Sequence, residues 1–159
     1  MRLLPLCFIA IILLGRSATA DENEKLFGVW KLVSLTYEDA QTGELKQFFG
    51  QHPKGYLILL SNGRMSAIVT AEGRTAPGSD EERGAAFRSM VAYSGTYRIE
   101  GDKWITKVDV AWNEAWVGTE QVRTYKLVGD RLDVTAMTQP AVNFSGRVLK
   151  AILSWEREK

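Results

Sequence analysis

The chain has 159 residues, 45% of them hydrophobic and 10% aromatic, with 20 basic residues against 19 acidic ones, one histidine and one cysteine. A formal net charge of +1 provides no field for nucleic acid as a general partner, and a single histidine with a single cysteine excludes metal centres built from clusters of those residues. Length and apolar content suffice for one domain of ordinary size around one core.

Residues 1–20 have the layout of a cleaved secretory signal peptide: Arg2 as the basic start, an apolar core over 3–14 interrupted by Pro5, and Ala18-Thr19-Ala20 as a small-x-small cleavage site before Asp21. A spanning helix needs roughly 20 apolar residues, whereas this run is shorter and gives way to Gly15, Arg16 and Ser17. The expectation is a mature domain over 21–159, secreted or periplasmic, with no stable membrane span after cleavage. Removal of Arg2 and Arg16 leaves 18 of the 20 basic residues against 19 acidic ones, a formal charge of −1. The only cysteine, Cys7, leaves as well, so the mature chain forms no internal disulfide and must be stabilised by its core. Cys7 lies inside the apolar core of the leader and not after it, which rules out its lipidation as an anchor.

In chain order, a polar lead-in over 21–25 precedes an alternating strand over 26–37, with Trp30, Leu32 and Ser34 on one side and Lys31, Val33 and Leu35 on the other. Thr42-Gly43 turns the chain into a shorter strand over 44–49, and residues 50–54, with His52 and Pro53, break it. An apolar run over 56–60, the hairpin pair Asn62-Gly63 and a strand over 64–70 with Met65, Ala67 and Val69 on one face come next. A loop over 71–79 leads to Ser79-Asp80-Glu81-Glu82, the spacing of a capping box, and Phe87, Met90 and Val91 then recur at helical spacing. Gly84 limits that helix to about three turns. Strands resume over 94–100, 104–110, 121–127, 132–136 and 149–155, punctuated by Gly101-Asp102, Gly129-Asp130 and a loop over 138–145 that contains Pro140. Between the fourth and third strands from the end, Trp112 and Trp116 stand on a loop.

Eight or nine strands joined by hairpins, without crossover helices, predict an all-β fold, an up-and-down antiparallel sheet with one short helix in a loop. So many inward aromatics favour closure into a barrel, which removes exposed edges; at about eight strands such a barrel is either filled or holds one small ligand.

Gly28-Val29-Trp30 resembles the glycine-x-tryptophan mark of lipocalins, whose tryptophan plugs the closed end of the barrel. The ordered set Gly55-Tyr56-Leu57-Ile58, Asn62-Gly63-Arg64-Met65-Ser66, Tyr93-Ser94-Gly95-Thr96-Tyr97, Trp116-Val117-Gly118-Thr119-Glu120-Gln121-Val122-Arg123, Gly129-Asp130-Arg131-Leu132 and Trp155-Glu156-Arg157 is similar to the small microbial lipocalin-like domain family over nearly all of the mature chain. That resemblance implies a calycin-type barrel and no assigned activity. It lacks the disulfide common in animal lipocalins, and its motif order is not theirs. It also implies Arg157 as the partner packed over Trp30, a structural cation–π contact.

Candidate ligand contacts follow from alternation. Arg123 shares a face with Tyr125 and Leu127, where a buried guanidinium must be paired. Either it holds the carboxylate or other oxygen-rich head of an apolar ligand, or it pairs internally with an acid such as Glu38, Glu114 or Glu120, or it lies at a wet strand end. Tyr56, Tyr97 and Tyr125 either line a cavity or fill the core. Trp112 and Trp116 either close over a ligand or cap the core, and Phe87 and Met90 either form a lid or pack a helix onto the barrel. His52, beside Pro53 in a turn, reads as a surface residue. There is no Gly-x-Ser-x-Gly elbow, phosphate-cradling glycine loop or dinucleotide fingerprint, and nothing calls for a cofactor. Asn143-Phe144-Ser145 matches a glycosylation triplet only in a host that glycosylates. The expectation is a barrel that binds a small, mainly apolar or amphipathic molecule; a cofactor-free isomerase, cyclase or dehydratase acting on a hydrophobic substrate, and a filled interaction module, are the alternatives.

Overall fold

The computed structural model describes residues 23–137 and 148–159. The leader and the whole loop over 138–145, with the Asn143 triplet, lie outside the described residues. Among the described residues nine strands form one antiparallel sheet: β1 (Gly28–Asp39), β2 (Leu45–Lys46), β3 (Lys54–Leu59), β4 (Arg64–Thr70), β5 (Met90–Glu100), β6 (Lys103–Ala111), β7 (Glu120–Val128), β8 (Arg131–Met137) and β9 (Leu149–Arg157). From β3 onward neighbours in sequence are neighbours in the sheet, and β1 pairs with both β3 and β9. The sheet therefore closes into an eight-stranded barrel, as the hairpin pattern predicts, with β2 as a two-residue flap on the end of β1.

The two ends differ in a way the connections dictate. Tight turns at Leu60–Gly63, Gly101-Asp102 and Gly129-Asp130 join the strands at one end; there Gly63, Gly101 and Gly129 have φ of +80°, +62° and +59°, which only glycine adopts without strain. Among the described residues, the longer connections, including helix α1 (Asp80–Arg88), fall at the other end. Trp30 plugs the tight end. It is fully buried, its Nε1 donates to the Leu26 carbonyl at 2.9 Å, and the Arg157 guanidinium lies over its ring, the pairing that the family resemblance implies.

Three local expectations are corrected. Strand β1 carries a bulge between Leu32 and Ser34, so alternation slips by one: Trp30 and Leu32 face inward, then Leu35 and Tyr37, and Ser34 does not share the face of Trp30. The strand expected over 44–49 shrinks to Leu45–Lys46. The helix is shorter than its apolar spacing suggests. It begins as expected, with Ser79 Oγ accepting from Glu82 N and Glu82 Oε2 accepting from Ser79 N, both at 3.2 Å, but it ends at Arg88. Met90 and Val91 instead pair with Thr70 and Val69 at the start of β5. Their ladder bonds outweigh helical continuation, and Phe87 is left 49% exposed on a helix with no buried residue.

Candidate functional site

The barrel is filled only at its tight end. Above Leu57, Trp104 and Trp155 it opens into a cavity of about 480 Å³ that reaches the long connections. This size falls within the range of small-molecule sites. The depth of each lining residue follows from strand direction. Strand β7 enters at the open end, so its inward residues descend in the order Gln121, Arg123, Tyr125, Leu127, about 7 Å per pair. Gln121 and Arg123 border the cavity, whereas Tyr125 and Leu127 do not.

Arg123 is 8% exposed. Its guanidinium donates to the Val122 carbonyl at 3.2 Å and lies 5.8 Å from the centre of the Tyr93 ring and 5.9 Å from that of Trp116. Among the described residues it makes no ion pair. Two of the acids that alternation offered it are engaged elsewhere: Glu120 with Arg98 at 2.7 Å and Glu38 with Lys150 at 3.3 Å. The described residues bordering the cavity include Arg88 at the mouth and Arg123 on the wall, and no carboxylate.

Among the described residues, eight aromatic rings share the remaining wall with a larger number of mainly aliphatic side chains. Trp116 packs edge-on against Tyr93 at 5.3 Å and against Trp112 at 4.8 Å, and Tyr37 lies 5.5 Å from Phe48 and 6.2 Å from Phe49. Burial raises the Tyr37 phenol well above its ordinary value, so it stays neutral. The segment carrying the two tryptophans is pinned. Asn113 Oδ1 caps a single 3₁₀ turn (Glu114–Trp116) by accepting from Ala115 N at 3.1 Å; Gly118 N donates back to the Val108 carbonyl at 2.9 Å; Thr119 Oγ1 donates to the Trp116 carbonyl at 2.7 Å.

The structure thus brings Arg123, Trp112 and Trp116 together at the cavity and places the three expected tyrosines elsewhere. Tyr56 faces outward and is 43% exposed, because Leu57 and Leu59 take the inward positions of β3. Tyr97 faces inward but below the floor; it packs 6.4 Å from Trp104, and its hydroxyl donates to the Leu60 carbonyl at 2.9 Å. Tyr125 sits in a separate cleft at the tight end beside Asp130 and Arg157. The tyrosines on the cavity are Tyr37 and Tyr93, which sequence reasoning missed. Tyr93 was reachable by stepping back four residues from Tyr97 on the same face; Tyr37 was hidden by the bulge in β1. His52 is exposed in the turn before β3, and its backbone N donates to Glu72 Oε2 at 3.1 Å.

The family of lipocalin-like domains matches residues 27–158. The chain belongs to that family. It is also similar to the 4'-hydroxy-3'-methoxypropiophenone carrier protein ppsC of Aspergillus oryzae, with 30% identity over 88 residues that cover 50% of this chain and 78% of the relative.

Proposed function

We propose that this protein is a non-catalytic carrier or sensor for a small, mainly apolar, ring-bearing molecule, working outside the cytoplasm after cleavage of its leader behind Ala20. The observation that carries the reading is an open cavity of about 480 Å³ lined by aliphatic side chains and eight aromatic rings, with one nearly buried guanidinium, that of Arg123, on its wall. Rings favour offset and edge-on contact with another ring, and the guanidinium fixes the orientation of an oxygen-bearing end. The ppsC relative is named as the carrier of an aryl ketone with phenolic and methoxy oxygens, a ligand of this general kind. An isomerase, cyclase or dehydratase needs a general base beside its substrate, and the described residues bordering the cavity offer no carboxylate for that role.

Native mass spectrometry of the mature protein, purified gently from its own compartment, tests the reading. A stoichiometric small passenger, lost on denaturation and retained less well by Arg123→Ala, is the expected result. A clean apo mass with no uptake from a panel of aromatic and lipid-like metabolites would overturn it. Amino-terminal sequencing of the exported protein tests cleavage: the mature chain should begin at Asp21.

A further inference from the structure

We propose that the cavity takes up a weakly acidic aromatic molecule, an aryl carboxylate or an acidic phenol, as its anion. The inference rests on the carrier reading and adds to it the ionisation state of the cargo.

Arg123 has five N–H donors, and the structure uses one of them, on the Val122 carbonyl. A guanidinium that is 8% exposed and cannot be deprotonated needs a counter-charge to offset its lost hydration. The rings of Tyr93 and Trp116 attract it through their π faces but bring no negative charge. Among the described residues the carboxylates are engaged elsewhere or do not border the cavity; Asp39, buried on the inner face of β1, accepts from Gln41 N at 2.9 Å and Thr42 N at 3.1 Å and does not border it. Tyr93 and Tyr37 are phenols, and the Tyr37 phenol is held neutral by burial; Arg88 at the mouth is a second cation. Asp109 and Asp133, on the adjoining strands β6 and β8, bind Arg64 and Ser154 with Arg131, and Glu114 lies exposed on the tryptophan turn without bordering the cavity.

The missing charge is therefore supplied by the occupant. A carboxylate or phenolate meets the fork of Arg123 with charge-assisted hydrogen bonds, about twice as strong as neutral ones, while its ring lies among Trp104, Trp116 and Tyr93. The neutral acid forgoes that gain. Binding is consequently coupled to proton release: above the acid's own pKa the cargo binds already ionised, and near or below it the protein drives deprotonation. Carriage should weaken as the surroundings acidify.

4-Nitrophenol and its uncharged methyl ether, 4-nitroanisole, form a probe pair of the same ring and nearly the same size. The phenolate absorbs in the visible and the phenol does not. The expected result is that excess mature protein moves the titration midpoint of 4-nitrophenol down by about one to three pH units and binds 4-nitroanisole about tenfold or more weakly than the phenolate. Arg123→Gln should abolish the shift and retain 4-nitroanisole binding. If both probes bind equally and the midpoint stays in place, the inference falls while the carrier reading stands. If neither probe binds and no passenger is found in the purified protein, the carrier reading itself falls and takes the inference with it. The wild-type titration decides by itself, and Arg123→Lys, which keeps the charge and loses the fork, reports on geometry should Arg123→Gln not fold.

Discussion

The Arg157 guanidinium lies 4.2 Å from the centre of the Trp30 ring, at the end of the barrel opposite the cavity mouth. Its Nη1 donates to the Phe27 carbonyl at 2.9 Å, and its Nε pairs with Asp130 at 3.3 Å. One side chain of the last strand thus ties down the lead-in to the first strand and a hairpin turn over a buried indole.

Replacing Arg157 with Gln removes the cation and leaves the Phe27 carbonyl and the Asp130 carboxylate to water. The expected cost is about 1–2 kcal/mol, read as a lower urea midpoint with an unchanged slope. Because Leu57, Trp104 and Trp155 separate Trp30 from the cavity, ligand affinity should be unaltered. A loss of affinity as large as the loss of stability would show that the two ends are mechanically coupled.

Two floor tryptophans make a matched comparison. Trp104 Nε1 donates to Thr106 Oγ1 at 2.8 Å, where Thr106 is fully buried. Trp155 Nε1 is buried with no hydrogen-bond partner among the described residues. Both indoles are 3% exposed, so substitution by Phe removes similar packing. Trp104→Phe also orphans a buried hydroxyl, whereas Trp155→Phe deletes a donor that was already unsatisfied. Trp104→Phe should be the more destabilising by about 1 kcal/mol, measured by chemical denaturation of the two variants in parallel.

The barrel was legible in the sequence because period-two alternation and the glycine turns report local geometry directly. Asn62-Gly63, Gly101-Asp102 and Gly129-Asp130 mark the three hairpins of the tight end, and Trp30 identifies its plug. The cavity was legible only in part. Alternation assigned Arg123 to the inner wall and gave Tyr97 and Tyr125 the correct face, but face is not depth. Depth depends on which end of each strand meets the mouth and where large side chains such as Trp104 fill the cross-section, and those are properties of the closed sheet. Tyr37 was lost for a different reason. The bulge between Leu32 and Ser34 shifts the face of everything after it, and no residue of the sequence announces it.

Acidification should destabilise the protein through three carboxylates. A hydrogen bond from Arg64 holds Asp109 below its ordinary value, one from Arg98 does the same for Glu120, and one from Ser154 for Asp133. In each case the unfolded chain binds protons first as pH falls, so the stabilisation is present above the ordinary carboxylate range of about 4 and is lost as pH drops through the lowered native values. The urea midpoint should be flat from neutral pH to about 5 and fall below about 4. Asp109→Asn and Glu120→Gln remove pairs exposed to solvent, so their contribution should shrink in about 1 M salt. The Asp133 contribution should persist there, because its partner Ser154 is only 7% exposed. An acid limb that vanishes entirely in salt would assign it to the exposed pairs alone.

Trp116 should set how fast cargo leaves. Its indole touches both Tyr93 and Trp112 and lies against the Arg123 guanidinium, on a turn that Asn113 caps and Gly118 ties to β6. Trp116→Ala removes part of the mouth and one of the two rings beside the cation, with little cost to folding because the side chain is only half-buried. Changes at one interface fall mainly on dissociation, and the loss of a single cation–π and ring contact corresponds to about a five- to tenfold faster release. Trp112 reaches Arg123 only through Trp116, so Trp112→Ala should accelerate release by a smaller factor, about twofold. Stopped-flow displacement of a bound aromatic probe separates the two. Equal acceleration by both variants would mean that the tryptophans act as a common apolar rim; a graded response, with Trp116 dominant, ties release to the contact it makes with Arg123.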